Sequence, residues 1–472
     1  MKRDIFSLSK ALEAKELSSL ELTKSCLDQI ERTDAETGAY LTVCAESAIE
    51  SAKLSDKRRA EGSSLGILDG IPFSLKDNFC VEGVETTCGS KFLEGYIPPY
   101  TATAAERLFS RGAILLGKTN MDEFGMGSFT ENSAYKLTKN PANTAHSAGG
   151  SSGGSAASVA SGTAVFSVGS DTGGSVRQPA SHCGIVGFKP TYGRISRYGL
   201  TAFASSLDTV GVMASSAEEC GLLLSVMSGK DERDASSLSM SQFSPNRESL
   251  SGLRGAVPKE IFDLPMSDGV KAALKKTIKA FESIGIPVDI ISIPSLSLCA
   301  ECYYIISSCE ASSNLARFDG VRYGRRAADC KSLDELYKRS RAEGFGNEVK
   351  RRIMLGTLAL SHGYYDDYYG RAQAHRQRIC AELSEAFEKY ALMIMPSSLS
   401  EAPKLCENKS LSRVYSEDIC TLPASLCGMP AISLPCGSSK NGLPVGVQLV
   451  ANRQRDGLLI SAASAVSEAL YE

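Results

Sequence analysis

Between Gly149 and Gly174 the chain carries eight glycines in 26 residues, interleaved with serine and alanine. A stretch with so few large side chains cannot build a core by itself. It has to be inserted between bulkier neighbours, where small residues let backbones approach closely. Within it, residues 155–161 read as a helix of small residues, residues 163–168 as a strand, and Asp171-Thr172-Gly173-Gly174-Ser175 as a tight turn after that strand. Successive N–H groups in such a turn can converge on an anion. The uncharged run from Asn140 to Ser170 is long enough to cross a bilayer, but it holds too few large apolar residues to be driven into one.

Outside this stretch the chain reads as alternating helices and strands, which argues for an α/β architecture. Ser18-Ser19-Leu20-Glu21 resembles a helix start, followed by Leu22, Cys26, Leu27 and Ile30 at helical spacing. Residues 66–76 carry an apolar strand that ends at Lys76. Residues 103–111 read as a helix closed by Gly112 as a left-handed cap, and residues 113–116 as a buried strand. Residues 228–251, rich in Ser, Asp, Arg and Lys without periodicity, read as a surface loop. Helices are expected over 269–284 and 347–360. Residues 431–436 and 444–450 flank Ser438-Ser439-Lys440-Asn441-Gly442, a strong hairpin signal. Length alone, 472 residues, would suggest about three domains, although large α/β enzymes often keep this much chain around one sheet.

Charge and cysteine usage narrow the function classes. With 51 basic and 54 acidic residues the net charge is −3, so no overall basic excess asks for nucleic acid. Met1 to Ile5 leads into a mixed polar segment without an apolar core of signal-peptide length. Fifteen cysteines in such a chain point to reduced thiols and a cytoplasmic location, with no membrane partner. Cys299 and Cys302 have CxxC spacing, but a zinc site wants a second ligand pair. His146, His182, His362 and His375 offer no suitable spacing, so no metal is expected.

Two motifs mislead. Gly112 to Thr119 matches the Walker A pattern, yet a helix is expected before the first glycine and four apolar residues fill the loop, where exposed amides are needed. Gly150-Ser151-Ser152-Gly153-Gly154 contains GxSxG, yet a nucleophile elbow must follow a strand directly, and residues 141–148 are a poor strand.

Three segments carry the chemistry: Ser74 to Asn78, Gly149 to Ser155, and Asp171 to Pro179. Ser175 follows two glycines in a turn suited to an oxyanion, and a serine there can attack a carbonyl once a base takes its proton. Histidine is scarce, so lysine is the alternative base. It would have to be neutral, with a pKa drawn from about 10.4 toward roughly 7–8 by burial or nearby positive charge. Lys76, at the end of an apolar strand, is the candidate. Spacing alone leaves a second reading open, in which these are a structural turn, a helix-capping serine and a snorkelling lysine.

At these residues the chain resembles the amidase-signature family. The GGSSGGSA block, with Ser151 followed 24 residues later by the serine of DTGGSVRQP, is that family's defining stretch, and the likeness continues through Cys183 to Thr191. Residues 121–128, 196–200, 310–320 and 346–353 are similar to the branch of the family that serves as glutaminase subunits of tRNA-dependent amidotransferases. The resemblance implies a central twisted mixed β-sheet covered by helices on both faces, in one domain over 1–472 with a signature core at about 66–215. It implies a triad in which Ser175 is the nucleophile, Ser151 the bridging serine on a cis peptide bond, and Lys76 the base. Backbone amides of Thr172, Gly173, Gly174 and Ser175 would hold the oxyanion.

For glutamine, the family's tyrosine, arginine and aspartate fall on Tyr303, Arg352 and Asp418. A guanidinium can fork onto the α-carboxylate and a carboxylate can take the α-ammonium. Without the resemblance these residues read as surface helix charges and a core ring. Arg351, next to Arg352, would point elsewhere on a helix. One departure is His146-Ser147-Ala148, where relatives usually carry Val-Pro; His146 is not expected to be catalytic.

The activity so implied is glutamine hydrolysis through an acyl-enzyme. The ammonia would serve conversion of Glu-tRNA(Gln), with Asp-tRNA(Asn) as a second candidate, on a B subunit that uses ATP and magnesium and contacts tRNA. A small C subunit would complete a heterotrimer, and no cofactor is assigned to this chain. The competing readings are a stand-alone amidase for small amides, which needs no amino-acid clamp, and a non-enzymatic assembly scaffold.

Overall fold

The computed structural model describes residues 4–240, 243–244, 247–407 and 417–471. Its centre is an eleven-stranded sheet. Across it the strands run Tyr40–Val43, Ile114–Thr119, Pro72–Lys76, Phe166–Asp171, Thr209–Ala214, Val186–Lys189, Ala431–Ser438, Pro444–Ala451, Leu392–Pro396, Gly255–Pro258 and Val288–Ile291. Pairing is mixed. Pro72–Lys76 runs parallel to both of its neighbours, whereas the strands from Phe166–Asp171 across to Leu392–Pro396 pair antiparallel.

Most of these strands are buried along their whole length, as a sheet covered on both faces requires. One group of helices, Gly153–Ala160 and Arg177–Cys183, packs together and onto the strands. A second group, Ala217–Met227, Asp268–Ser283 and Asp456–Tyr471, packs together and onto several of the same strands. Phe73 and Phe166 stack across adjacent strands with ring centroids 5.2 Å apart. The small-residue helix expected over 155–161 runs Gly153–Ala160, with Ala156 and Ala157 wholly buried, and the strand expected over 163–168 begins only at Phe166 and runs to Asp171.

Local signals explain the element ends. Ser18 and Glu21 form a reciprocal capping box on the helix Ser19–Thr37, which closes at left-handed Gly38. The helix expected over 103–111 stops at Phe109, and Gly112, at φ +78°, turns the chain into the strand Ile114–Thr119. The expected helices near 269 and 347 are Asp268–Ser283 and Asn347–Ala359, and the C-terminal hairpin forms as an antiparallel pair.

Both misleading motifs resolve physically. Residues 114–119 are a buried strand, and Lys118 is spent on an ion pair with Asp77 at 3.0 Å and a bond to Thr86 at 2.9 Å. Residues 143–147, expected to make a poor strand, do form one, paired with Lys139–Asn140 in a separate two-stranded ribbon. This strand creates no elbow, because the ribbon is outside the main sheet and the Ser152 hydroxyl donates to the Ser170 carbonyl at 3.2 Å. Cys299 and Cys302 are buried on the helix Cys299–Asn314, and among the described residues no group of three or more potential ligands could hold a metal. Among those residues, no helix is long and apolar enough to cross a membrane.

Candidate active site

Two parallel strands bring the first components together. Leu75 is in register with Val168, so Lys76 emerges beside Ser170 at the carboxyl end of the sheet, where α/β folds commonly bind ligands. The chain continues from Ser170 through Asp171 into the turn that carries Ser175. Ser151 arrives from the other side, at the mouth of the helix Gly153–Ala160, on a cis Gly150–Ser151 peptide bond. Gly150 cannot be larger, since a Cβ would sit 2.7 Å from the backbone nitrogens of Phe129 and Thr130.

The Lys76 amine donates to Ser151 Oγ at 2.8 Å and to Ser170 Oγ at 3.0 Å. The Asn78 amide also donates to Ser170 Oγ, at 2.9 Å. The segment around Ser151 is tied to the turn by the Ser152 N–H, which donates to the Ser175 carbonyl at 3.2 Å. Gln178 reaches back along the same seam, accepting from Gly150 N–H at 3.0 Å and donating to Ser128 O at 2.9 Å. Among the described residues, hydroxyl-to-hydroxyl hydrogen bonding between Ser151 and Ser175 is not formed; catalytic contacts commonly tighten only once substrate is bound.

The site is dry. Lys76 is fully buried, Ser151 is 1% exposed and Ser175 8%. Burial pulls the Lys76 amine down to about 7, against the opposing pull of Asp122, Asp171 and Asp208. Burial also raises Asp122 and Asp208 to about 6, against the hydrogen bonds that favour their charged forms. Burial pushes Asp171 upward too, but Arg177 outweighs it and holds the carboxyl below its usual range. The pair is bidentate, Arg177 Nε to Asp171 Oδ2 at 3.0 Å and Nη2 to Oδ1 at 2.9 Å. The same guanidinium donates to Thr421 O, Gln448 Oε1 and Ser425 Oγ.

These contacts shape the turn. Val176 N–H is taken by Asp171 Oδ2 at 3.2 Å and Gln178 N–H by Gly174 O at 2.8 Å. Among the described residues no protein acceptor takes the N–H groups of Gly173, Gly174 and Ser175, an arrangement suited to a developing oxyanion. Thr172 is fixed through its hydroxyl, which donates to Asp208 at 2.7 Å, and Thr421 Oγ1 donates to Gly173 O at 2.5 Å. Gly173 leaves room for Tyr303, whose Cζ would lie 2.6 Å from a Cβ there.

The three residues expected to bind glutamine gather next to this turn. Tyr303 covers Gly173, and its ring meets Tyr304 edge-on at 5.1 Å. The Arg352 guanidinium lies 4.7 Å above the Tyr304 ring, and Tyr304 Oη is 3.5 Å from Asp418 Oδ2. Arg352 is 4% exposed and donates to Glu348 at 2.7 Å, while Arg351 pairs with the same carboxylate from a more exposed position. Asp418 accepts from Ser128 Oγ at 2.7 Å, and burial raises it to about 7. His146 lies elsewhere, with its ring on the Ala402 carbonyl at 2.7 Å.

Reasoning from the sequence missed Asn78, Ser170, Gln178, Thr421, Ser128 and Tyr304. Asn78 and Gln178 lie inside two of the segments singled out for chemistry, and Tyr304 adjoins Tyr303. Thr421 had no local signal, because only the folded chain brings it to residue 173.

Comparison with known proteins points to one family. A family model described as Amidase matches residues 21–460. The A subunit of the glutamyl-tRNA(Gln) amidotransferase of Caldanaerobacter subterraneus subsp. tengcongensis is 47% identical over 98% of this chain and 96% of its own length. The crystal structure of the A subunit of the Thermotoga maritima glutamyl-tRNA(Gln) amidotransferase is 38% identical, with a TM-score of 0.79, over 95% of this chain and 91% of that one. The peptide amidase of Stenotrophomonas maltophilia superimposes with a TM-score of 0.82 at 26% identity, over 99% and 96% of the two chains.

Proposed function

This chain belongs to the amidase family, and on that footing we propose that it is the glutamine-hydrolysing subunit of a tRNA-dependent amidotransferase. The reading is carried by the clamp beside the turn: Arg352 and Asp418, opposite charges suited to an α-carboxylate and an α-ammonium, stand at the two sides of Tyr304. A small amide without those groups would need neither, which separates this reading from that of a stand-alone amidase.

In the proposed mechanism neutral Lys76 takes a proton from Ser151, which in turn takes one from Ser175 as its Oγ attacks the glutamine side-chain carbonyl. The N–H groups of Gly173, Gly174 and Ser175, with that of Thr172, stabilise the oxyanion. Collapse expels ammonia, the leaving nitrogen being protonated through the same relay. Water then attacks the acyl-Ser175 ester and releases glutamate. Burial is what makes the relay usable at neutral pH, because a solvated lysine would stay charged.

The ammonia would be passed to a B subunit that activates Glu-tRNA(Gln) with ATP and magnesium, Asp-tRNA(Asn) being the second candidate substrate and a small C subunit completing the heterotrimer. The names of the relatives at 47% and 38% identity support a place in such a complex. The test is Ser175→Ala in the reconstituted complex. Glutamine-dependent amidation should disappear while ammonia-dependent amidation persists; equal activity with both donors would leave only a scaffold.

A further inference from the structure

Two free cysteines outside the amide site lie side by side. Cys380 lies on the helix Arg371–Lys389, and Cys427 caps the short helix Leu422–Leu426. They are 47 residues apart in sequence, yet their sulfurs lie 3.2 Å apart. Arg376, one turn before Cys380, locks the two elements together by donating to the Leu426 carbonyl at 2.8 Å. Cys427 is 6% exposed and Cys380 is only partly buried, so a small reagent meets Cys380 first. The thiol of Cys427, then the cations of Arg376 and Arg453, draw the Cys380 thiol below its usual range, against its partial burial.

We propose that Cys380 and Cys427 are an oxidisable dithiol that closes to an intramolecular disulfide on exposure to peroxide. The Cys380 thiolate attacks one peroxide oxygen, forming a sulfenic acid and releasing hydroxide. Cys427 loses its proton and its sulfur displaces the second hydroxide, so two thiols give up two electrons and peroxide is reduced to water. A dithiol reductant reverses the bond by exchange.

Closure draws the sulfurs from 3.2 Å to about 2.05 Å. The segment ending at Cys427 begins beside Thr421, which holds the Gly173 carbonyl, so a shift of that segment on closure reaches the turn. Displacements of about 1 Å at a reacting centre can cost on the order of 10²-fold in rate. Oxidation therefore slows the amide reaction. The disulfide itself goes beyond the proposed glutaminase chemistry and does not rest on it.

The test uses the full-length protein in its complex. It is treated with hydrogen peroxide, its free thiols are alkylated, and it is digested without reductant for mass spectrometry. The expected product is a Cys380–Cys427 linked peptide that disappears with dithiothreitol, is lost in both Cys380→Ser and Cys380→Ala, and persists in Cys299→Ser. Glutamine hydrolysis should fall at least tenfold in the wild type, recover on reduction, and resist peroxide in Cys380→Ala. Absence of the linked peptide, or a Cys299–Cys427 link in its place, overturns the dithiol whatever the substrate is. A linked peptide with unchanged activity overturns its control over the site.

Discussion

The Lys76 amine sits 2.8 Å from the Ser151 hydroxyl with almost no solvent at either group. That contact joins the end of one strand to the mouth of a helix. Burial brings that amine down to about 7, so its neutral form is available near neutral pH.

The first prediction concerns proton supply. Lys76 must be neutral to act, and burial sets its pKa at about 7. The neutral fraction therefore grows with pH, and kcat for glutamine hydrolysis should rise through a midpoint near 7, falling about tenfold for each unit below it. Lys76→Ala should lower glutamate release by about 10²–10⁴-fold and leave ammonia-dependent amidation intact. A flat profile from acid to mildly alkaline pH would rule out the lysine.

Substrate recognition is separable from chemistry. Arg352→Lys keeps the charge but loses the fork, and Asp418→Asn loses the anion. Each should raise KM for glutamine by roughly 10- to 100-fold, the worth of one or two charge-assisted hydrogen bonds. Because Asp418 is raised to about 7 by burial, its charged form is gained as pH rises, so KM should fall over the same range in the wild type and not in Asp418→Asn. Steady-state glutaminase kinetics across pH would show this. An unchanged KM in both variants would remove the amino-acid clamp.

Gly173→Ala should damage turnover more than folding. The new Cβ meets Tyr303 and displaces the amides meant for the oxyanion. Loss of one such donor costs about 10²–10³-fold in kcat. Kinetics paired with a thermal melt distinguish this from general destabilisation.

Asp171→Asn tests the buried pair behind the turn. Arg177 and Asp171 are both fully buried, and removing the carboxylate leaves an uncompensated guanidinium, a loss of about 3–5 kcal/mol. In the wild type the Asp171 pKa is held below its unfolded value. Its contribution is therefore complete above the usual carboxylate range and is lost as pH falls through the lowered value. Denaturant melts should show the mutant penalty shrinking in strong acid.

Much of this was legible in the sequence where the signal is local. The capping box at Ser18, the small-residue helix and the C-terminal hairpin all come from short-range backbone chemistry. The candidates Lys76, Ser151 and Ser175 came from two glycine-rich blocks and a lysine at a strand end; the structure brings Lys76 and Ser151 into direct contact, and among the described residues no hydrogen bond joins Ser151 to Ser175. Residues 143–147 escaped because two-residue pairing with Lys139–Asn140 owes nothing to alternation of apolar side chains. Thr421 and Gln448 escaped because their role exists only through Arg177 and Gly173, hundreds of residues upstream.

The sheet order has a bearing on biosynthesis. The strand Val186–Lys189, just past the turn that carries Ser175, takes one of its two partners from Ala431–Ser438, far downstream in the chain. Ser175 can emerge from the ribosome and wait, but the framework that fixes its surroundings closes only when those late strands arrive. A chain folded only as far as Lys189 therefore holds the turn at residues 171–175 without the late partners Thr421 and Gln448 that bind Arg177.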